Sequence, residues 1–461
     1  MENGKIITLK GRDAILTILC GVVLGLFSIL KPQYVWLILL IPLILIFITS
    51  ISLFFPLFIA LRSSLDIFTD VGFYIGPMNL NVPSFFTIFI IGVASLYLGV
   101  MALKGKTIKI HKISVLFGIW ILLLTPFVFL SIRNFGFRGL ISLREWMRLF
   151  SIFILFLLSY NLVRRENRKR FLNLLFLSLL VPLSSGLYQL ITHTGMFVKG
   201  IHRIYGSIAH PNAFSLYLIL FIGITYWKLK MSRHILWYLL LLIELVALIA
   251  TFSLSGYIMF SILSLFLLLK ERKGQEILIA FIIVLFIFAF STNQQFQKRW
   301  ERVKLINIDT IKEKKVVDSF TWRIVNWCNL LSLWKEKAFF GYGLQTTPII
   351  NPWKIPDEGI GYAPHNDFLR YLVETGLIGF TFYSVFVFLV GYYLFKEYRS
   401  STTLYPKTFL YTLLGVFISW QIGSWVDNFI TSTTFQYYFW VFLAVALKSN
   451  GLQGKDEEKD G

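Results

Sequence analysis

Residues 143–162 read LREWMRLFSIFILFLLSYNL, residues 163–170 read VRRENRKR, and residues 171–192 read FLNLLFLSLLVPLSSGLYQLIT. Two long apolar runs therefore flank a short connection that carries Arg164, Arg165, Arg168, Lys169 and Arg170. A helix needs about 20 mostly apolar residues to cross the hydrocarbon of a bilayer, so each run is one crossing. Short Lys/Arg-rich loops are retained on the cytoplasmic side, which places 163–170 inside and the far ends of both runs outside.

The same alternation extends in both directions. Apolar spans are expected at 14–30, 84–103, 113–131, 212–229, 234–251, 254–270, 275–291, 367–394, 406–423 and 434–448. Basic connections at Lys104–Lys112, Lys228–Arg233, Lys270–Lys273 and Lys396–Lys407 fall on alternate turns, whereas 251–253 and 424–433 hold no Lys or Arg. The loops 131–142 and 193–211 and the insert 292–366 then emerge on the outer side. Region 34–61, interrupted by Pro42 and Pro56, is long for one crossing and short for two. With Lys5, Lys10 and Arg12 inside, it makes two passes or a re-entrant hairpin. The expected fold class is an all-α polytopic integral membrane protein with about 12–14 transmembrane helices and one long extracytoplasmic loop subdomain.

Composition agrees. The chain of 461 residues is 56% hydrophobic and 15% charged, with a mean hydropathy of +0.71, too apolar for a water-soluble surface of ordinary composition. Its net charge of +20 sits mostly in loops between spans, a topology signal and not a nucleic-acid surface. Cys20 and Cys328 offer no metal or disulfide spacing. Residues 14–30 lack a small-residue cleavage site after them and read as a retained anchor. The organisation expected is a helix bundle over 1–291, an extracytoplasmic subdomain over 292–366, C-terminal transmembrane helices over 367–448 and a cytoplasmic polar tail over 449–461. Within the insert, the spacing of Trp322, Val325, Leu330 and Trp334 predicts an amphipathic helix over 319–337, followed by a Gly- and Pro-rich return loop.

Three outer-side clusters carry residues suited to chemistry. In Pro364-His365-Asn366-Asp367, Asn366 suits an N-cap and Asp367 a first helical turn. His365 either fills the loop or serves as a proton acceptor at the water–lipid boundary. In Ser319-Phe320-Thr321-Trp322-Arg323, the guanidinium either grips diphosphate oxygens or snorkels beside Trp322. In His202-Arg203-Ile204-Tyr205-Gly206, followed by His210-Pro211-Asn212, Arg203 is a second phosphate ligand candidate, while His202 and His210 read as surface residues and Pro211 as a first-turn proline. Arg133, Arg138, Arg144 and Arg148, with Glu145, form a further basic group that either anchors a helix at the headgroups or adds phosphate-binding charge. Glu244 lies inside a span, where a carboxyl is costly. Phe340-Gly341-Tyr342-Gly343 lacks the context of a potassium filter and reads as a turn.

The sequence resembles the O-antigen ligase and O-antigen polymerase superfamily of bacterial envelope glycosyltransferases. The resemblance covers roughly 200–385 and rests on His365-Asn366 with Glu374-x-Gly376-x-x-Gly379, on Arg323 upstream, and on Arg203-x-x-Gly206 and Pro211-Asn212. It implies a C-type glycosyltransferase membrane fold and a metal-independent transferase without a cofactor. It also implies a glycan on undecaprenyl diphosphate as donor, and a lipid A core or a second lipid-linked repeat as acceptor. His365 matches the essential histidine and Arg323 a diphosphate-binding arginine, with Asn366, Glu374 and Asn212 in support. A second family arginine is replaced by Gly256 after Ser253-Leu254-Ser255, so Arg203 or Arg138 is expected to supply that charge. Membrane lipids are implied partners, a chain-length regulator is an optional one, and nucleic acid is not expected. The resemblance places the protein in the cytoplasmic (inner) membrane with its active site outside, and leaves ligase and polymerase balanced. A lipid-linked glycan transporter and a noncatalytic envelope scaffold are the rivals from other classes, although no internal repeat favours the former.

Overall fold

The computed structural model describes residues 50–75, 78–198, 200–269, 319–355 and 361–457. The spans expected at 14–30 and 275–291, and most of 34–61, lie outside the described residues.

Helix α1 (Ile51–Leu61) runs into a 3-10 turn, Arg62–Phe68. An antiparallel hairpin, β1 (Gly72–Ile75) and β2 (Met78–Asn81), delivers the chain to α2 (Val82–Leu103). Asn81 caps α2 by accepting the Ser84 amide at 3.1 Å. Helices α3 (Lys112–Phe135) and α4 (Ile141–Leu162) are joined by a 3-10 turn at Gly136–Leu140. The apolar run 171–192 folds as α5 (Arg168–Phe176) and α6 (Leu180–Ile191) with a 3-10 turn between them. A second small hairpin, β3 (Met196–Val198) and β4 (Ile201–Arg203), precedes α7 (Pro211–Ser232), α8 (Ile235–Ala250) and α9 (Leu254–Leu268). Beyond them lie α10 (Ser319–Glu336), the short α11 (Thr347–Ile350), α12 (Asp367–Ser400), α13 (Leu404–Gly423) and α14 (Thr433–Glu457).

The architecture is all-α and polytopic. Among the described residues, five helical stretches are long and apolar enough to cross a membrane: 82–103, 112–162, 168–191, 211–232 and 367–400. All five begin or end within a few residues of the spans read from hydropathy, and 112–162 is the α3–α4 pair. The two β-hairpins are the additions that periodicity did not announce. Both are only a few residues long and sit in connections, where a weak alternation leaves no signal.

Helix α14 is the axis of the bundle. It packs on α4, α13, α7 and α5, and every residue from Thr434 to Lys448 is buried. A helix apolar all round belongs in such a position. Trp440 meets Phe117 and Phe156 at ring separations of 4.7 and 5.5 Å, and Phe439 meets Trp420 at 5.4 Å. The outer helices show the reverse, with Leu122, Phe129, Leu239, Leu242 and Phe388 exposed on their outward faces. Large apolar side chains in that position are what lipid tails solvate.

The connections sort to two ends. At one, Asn161 pairs with the Lys109 backbone, His111 Nε2 lies 3.2 Å from Glu397, Asn450 donates to Glu397 at 3.0 Å, and Arg168 stacks over Tyr405. These are the basic loops of the sequence. At the other end, Asn134 donates to the Tyr342 carbonyl, Ile204 N to the Ala250 carbonyl, and Asn366 N to Asn428. This end gathers the loops that carry the candidate chemistry.

The segment between α10 and α12 is clamped there by a break in α12. Gly376 has φ +63° and Gly341 φ +65°, the left-handed region that favours glycine. A Cβ on Gly376 would come within 2.3 Å of the Phe339 backbone, and one on Gly341 within 2.5 Å of the Glu374 carbonyl oxygen. The close approach lets Gly343 N donate to Glu374 O at 2.7 Å, while Leu377 N donates to Ala338 O at 2.8 Å. The Glu374 carbonyl and Leu377 amide freed by the break are thereby satisfied, and Gly341-Tyr342-Gly343 is the turn that the sequence suggested.

Beside the break lies a buried ionic cluster. Glu145 on α4 receives a two-pronged interaction from Arg148, 2.8 Å on each oxygen, and a third bond of 2.8 Å from Arg370 on α12. Arg370 also reaches Glu374 at 3.3 Å and the Gln345 side chain. Glu374 accepts the Gln345 amide at 2.7 Å, the Thr347 amide at 3.2 Å and the Thr347 hydroxyl. One guanidinium thus ties α4, α12 and the loop before α11. Removing a single partner of a buried ion pair leaves an uncompensated charge, at about 3–5 kcal/mol. Arg370→Met is expected to lower the thermal unfolding midpoint in detergent, and the triple variant Arg370→Met, Glu145→Gln, Glu374→Gln to recover much of the loss. An unchanged midpoint in the single variant would refute the clamp.

Candidate functional site

The site is organised by Asp427, in the connection between α13 and α14. His365 Nδ1 lies 2.9 Å from Asp427 Oδ1, and a carboxylate only accepts, so Nδ1 carries the proton. Asn212 Nδ2 donates to Asp427 Oδ2, the Asn428 amide donates to Oδ1 at 2.9 Å, and an Arg323 terminal nitrogen stands 3.9 Å from Oδ2. Burial works to raise the Asp427 pKa. The hydrogen bond and charge of His365, then the Arg323 guanidinium and the Asn428 amide, overcome it and hold the carboxyl well below its ordinary range. Asp427 therefore stays ionised and holds the Nδ1 proton of His365, so that Nε2 is the ring nitrogen left to exchange a proton.

Local structure places each group. Asn366 caps α12 by accepting the Leu369 amide at 2.9 Å, as its sequence position suggested. Asp367, in the first turn, accepts the Ile430 amide at 2.8 Å and its own amide donates to Ser424 O at 2.8 Å, stitching α12 to the Asp427 loop. His365 itself has φ +50°, a conformation costing a non-glycine residue about 1–3 kcal/mol. The adjoining chain holds it there. Asn326 donates to the Ala363 carbonyl at 3.2 Å and Trp327 to the Pro364 carbonyl at 2.7 Å, while Trp322 meets the imidazole edge-on at 5.4 Å. The expected amphipathic helix α10 is therefore the brace behind His365.

A second line of bonds runs inward. Arg203 donates from Nε to the Thr251 carbonyl at 2.9 Å and from a terminal nitrogen to Asn212 Oδ1 at 2.7 Å; Ser253 Oγ donates to the same Asn212 oxygen at 3.0 Å. Arg203, Asn212, Asp427 and His365 are thus one hydrogen-bonded series. Arg203 is buried, and its bond to Asn212 orients that amide. At Gly256, where the resemblance led to an expected arginine, a Cβ would stand 2.6 Å from Ser215 Cβ. That turn has no room for a side chain, and the Arg203 guanidinium is bonded to its Thr251 carbonyl.

A cavity of about 530 Å³ opens beside these groups. His365, Asp427 and Asn212 line it, as do His210, Arg144 and Arg148. Arg203, Arg323 and Arg138 are absent from its lining. Arg323 is joined to the site through Asp427, whereas Arg138 lies exposed on the turn between α3 and α4 and is not brought to His365. Glu374 sits behind the cavity, within the ionic cluster described above. Among the described residues, no group of three or more His, Cys, Asp or Glu is arranged to hold a metal ion.

Residues 237–384 match the family model described as O-antigen ligase. Over that stretch the chain is similar to O-antigen ligases. No curated protein matches the chain. The ligase match contains Arg323, His365 and Glu374, and it excludes Arg203, His210, Asn212 and Asp427, so half of the site geometry is contributed from outside the matched segment. The superfamily resemblance and the family match overlap over 237–384, which holds the His365 motif, while the Arg203 and Asn212 elements of the resemblance lie outside the match.

Two groups escape a reading of the sequence. Asp427 is hidden there because its loop stands out only for lacking Lys and Arg, although it is the sole acidic residue of 424–433. His210 is half-buried on the cavity wall and not a surface residue, unlike the exposed His202. Its Nδ1 accepts the Asn212 amide at 3.1 Å as the cap of α7, which assigns the proton to Nε2. Burial lowers its pKa to about 4; Asp427 opposes that shift, while Arg203, His365 and Arg323 reinforce it. The folded protein therefore keeps His210 neutral where an unfolded chain, with a pKa of about 6.5, takes up a proton. Stability from this group is full above the unfolded value and falls as pH drops from there toward 4. His210→Asn preserves a cap acceptor and removes the titrating group. The unfolding midpoint of the wild type is expected to fall further between about pH 7.5 and 5 than that of the variant, and parallel declines would contradict the assignment.

Proposed function

We propose that this protein is a glycosyltransferase that moves a glycan from an undecaprenyl-diphosphate-linked donor to an acceptor hydroxyl of lipid A core, at the outer face of the cytoplasmic membrane. The observation that carries the reading is the His365–Asp427 pair at the edge of a cavity in the loop-bearing end of a membrane bundle. An ionised carboxylate on Nδ1 leaves Nε2 as the acceptor nitrogen, the arrangement a general base requires.

In the proposed step, His365 Nε2 takes the proton of the acceptor hydroxyl as that oxygen attacks the anomeric carbon. The bond from that carbon to the diphosphate breaks, and the diphosphate departs with the electron pair. Negative charge then grows on the leaving group, where guanidinium groups stabilise it. Arg144 supplies charge on the cavity wall, and Arg323, 3.9 Å from Asp427 behind that wall, adds its positive field. Arg203 acts as a positioning residue through Asn212. The reading asks nothing of a metal.

Joining lipid-linked repeats, the polymerase reaction, uses the same chemistry with a different acceptor. Purified protein incubated with lipid-diphosphate glycan, with and without lipid A core, distinguishes them by product size. Glycan appearing on the core supports the ligase reading, whereas longer lipid-linked chains without core support the polymerase. Movement of donor across sealed vesicles with no covalent product would point to a transporter and overturn both.

His365→Ala is expected to lower kcat by about 10²–10⁴-fold, the usual contribution of a positioned base. Asp427→Asn is expected to lower kcat with little change in donor KM, because an amide does not impose the Nδ1–H tautomer. Full turnover in either variant, in protein shown to be correctly inserted, would remove the assigned base.

A further inference from the structure

The wall of the cavity formed by the turn after α1 has no role in the chemistry described so far. Arg62 is only 4% exposed and yet lines that cavity. One of its terminal nitrogens donates to Asp66 at 2.5 Å, and its Nε is buried without a partner among the described residues. The other Asp66 oxygen accepts the Thr434 hydroxyl at 2.7 Å. Around the pair the lining is rich in hydroxyl and amide groups, from Thr69, Asn81, Ser84, Thr431 and Thr433, with Leu80 and Pro83 as apolar neighbours.

A guanidinium withdrawn from water is costly while part of its donor fork is unspent. Asp66 cancels its charge but leaves that Nε–H unsatisfied. The cavity as a whole is also balanced, with Arg62, Arg144 and Arg148 against Asp66, Glu145 and Asp427 in its lining. An anion approaching Arg62 meets the Asp66 carboxylate at the same time. A hydroxyl-bearing neutral ligand meets no such conflict, because one of its oxygens accepts from Arg62 while a neighbouring hydroxyl donates to Asp66. Adjacent hydroxyls on a pyranose ring have this character, and their C–H faces suit Leu80 and Pro83.

We propose that Arg62 and Asp66 form a carbohydrate subsite, holding a sugar ring through adjacent hydroxyls in the cavity that His365 also lines. The inference rests on the transferase reading only for which sugar it is, donor or acceptor. A hydrogen bond to a charged group contributes about 1.5–3 kcal/mol, so its loss corresponds to about ten- to hundredfold in affinity.

Asp66→Asn, Arg62→Gln and the milder Thr434→Val are compared in nanodiscs. Steady-state transfer is measured with donor varied at fixed acceptor, then acceptor varied at fixed donor. The expected result is a KM raised by about tenfold or more for one glycan substrate, with kcat nearly kept. A rise confined to the acceptor arm assigns the acceptor sugar, and one confined to the donor arm the donor sugar. Binding is read separately by saturation-transfer NMR with maltotriose, chitotriose and mannotriose, and with inorganic diphosphate as the anionic probe. Trisaccharide binding to the wild type that weakens in the variants supports the subsite even if no transfer is detected, in which case only the transferase reading fails. The subsite is overturned if both KM values stay unchanged, if no trisaccharide binds the wild type, or if diphosphate binding alone is lost in Arg62→Gln. Should Asp66→Asn misfold, Thr434→Val decides: unchanged KM and unchanged trisaccharide binding in that variant overturn the proposal.

Discussion

A carboxylate buried at the edge of a membrane bundle is expensive unless its lone pairs are taken up, and at Asp427 they are. It accepts from His365, Asn212 and the Asn428 amide, with Arg323 nearby. Those partners arrive from the loop before α12, the start of α7, its own loop and α10. The charge that must be compensated is therefore what draws four separate segments to one point. In doing so it sets the proton position on His365, and hence which ring nitrogen faces the cavity. Stability and chemistry share one interaction here.

The Arg370 cluster has the corresponding role a layer further in. Where Asp427 gathers loops, Arg370 holds two helices and the loop before α11 against the broken segment of α12. The break at Gly376 is needed for the loop containing Gly341 to approach backbone to backbone. Without that approach α10 would have no fixed platform, and α10 is what braces the strained His365 backbone through Asn326 and Trp327. The Glu-x-Gly spacing of the motif thus has a mechanical meaning. Glu374 satisfies the loop amides, and Gly376 permits the contact.

The two cavity-lining histidines show how partners decide function for one residue type. His365 presents an acceptor nitrogen because a carboxylate holds its other nitrogen protonated. His210 presents a donor because a backbone amide occupies its Nδ1. Similar contrasts run through the arginines. Arg148 is spent on Glu145 and the Ile430 carbonyl, and Arg203 bonds Thr251 and Asn212, while Arg62 and Arg323 each keep a buried Nε–H without a partner among the described residues. Counting basic residues in loops does not separate these cases.

What the sequence determined by itself was whatever hydropathy and nearest-neighbour chemistry encode. The membrane class, the ends of α2, α4, α7 and α13, the amphipathic α10, the Asn366 cap and the turn at Gly341-Tyr342-Gly343 all follow from residues within a few positions of one another. His365 was legible for the same reason, since its motif is continuous. The tertiary structure alone decided which charges meet. Asp427 lies 62 residues from His365, Asn212 lies 215 from Asp427, and Asp66 lies 368 from Thr434. Such pairings leave no local period, because they arise only when packed helices bring distant loops to the same end of the bundle and burial makes each unpaired charge too costly to keep.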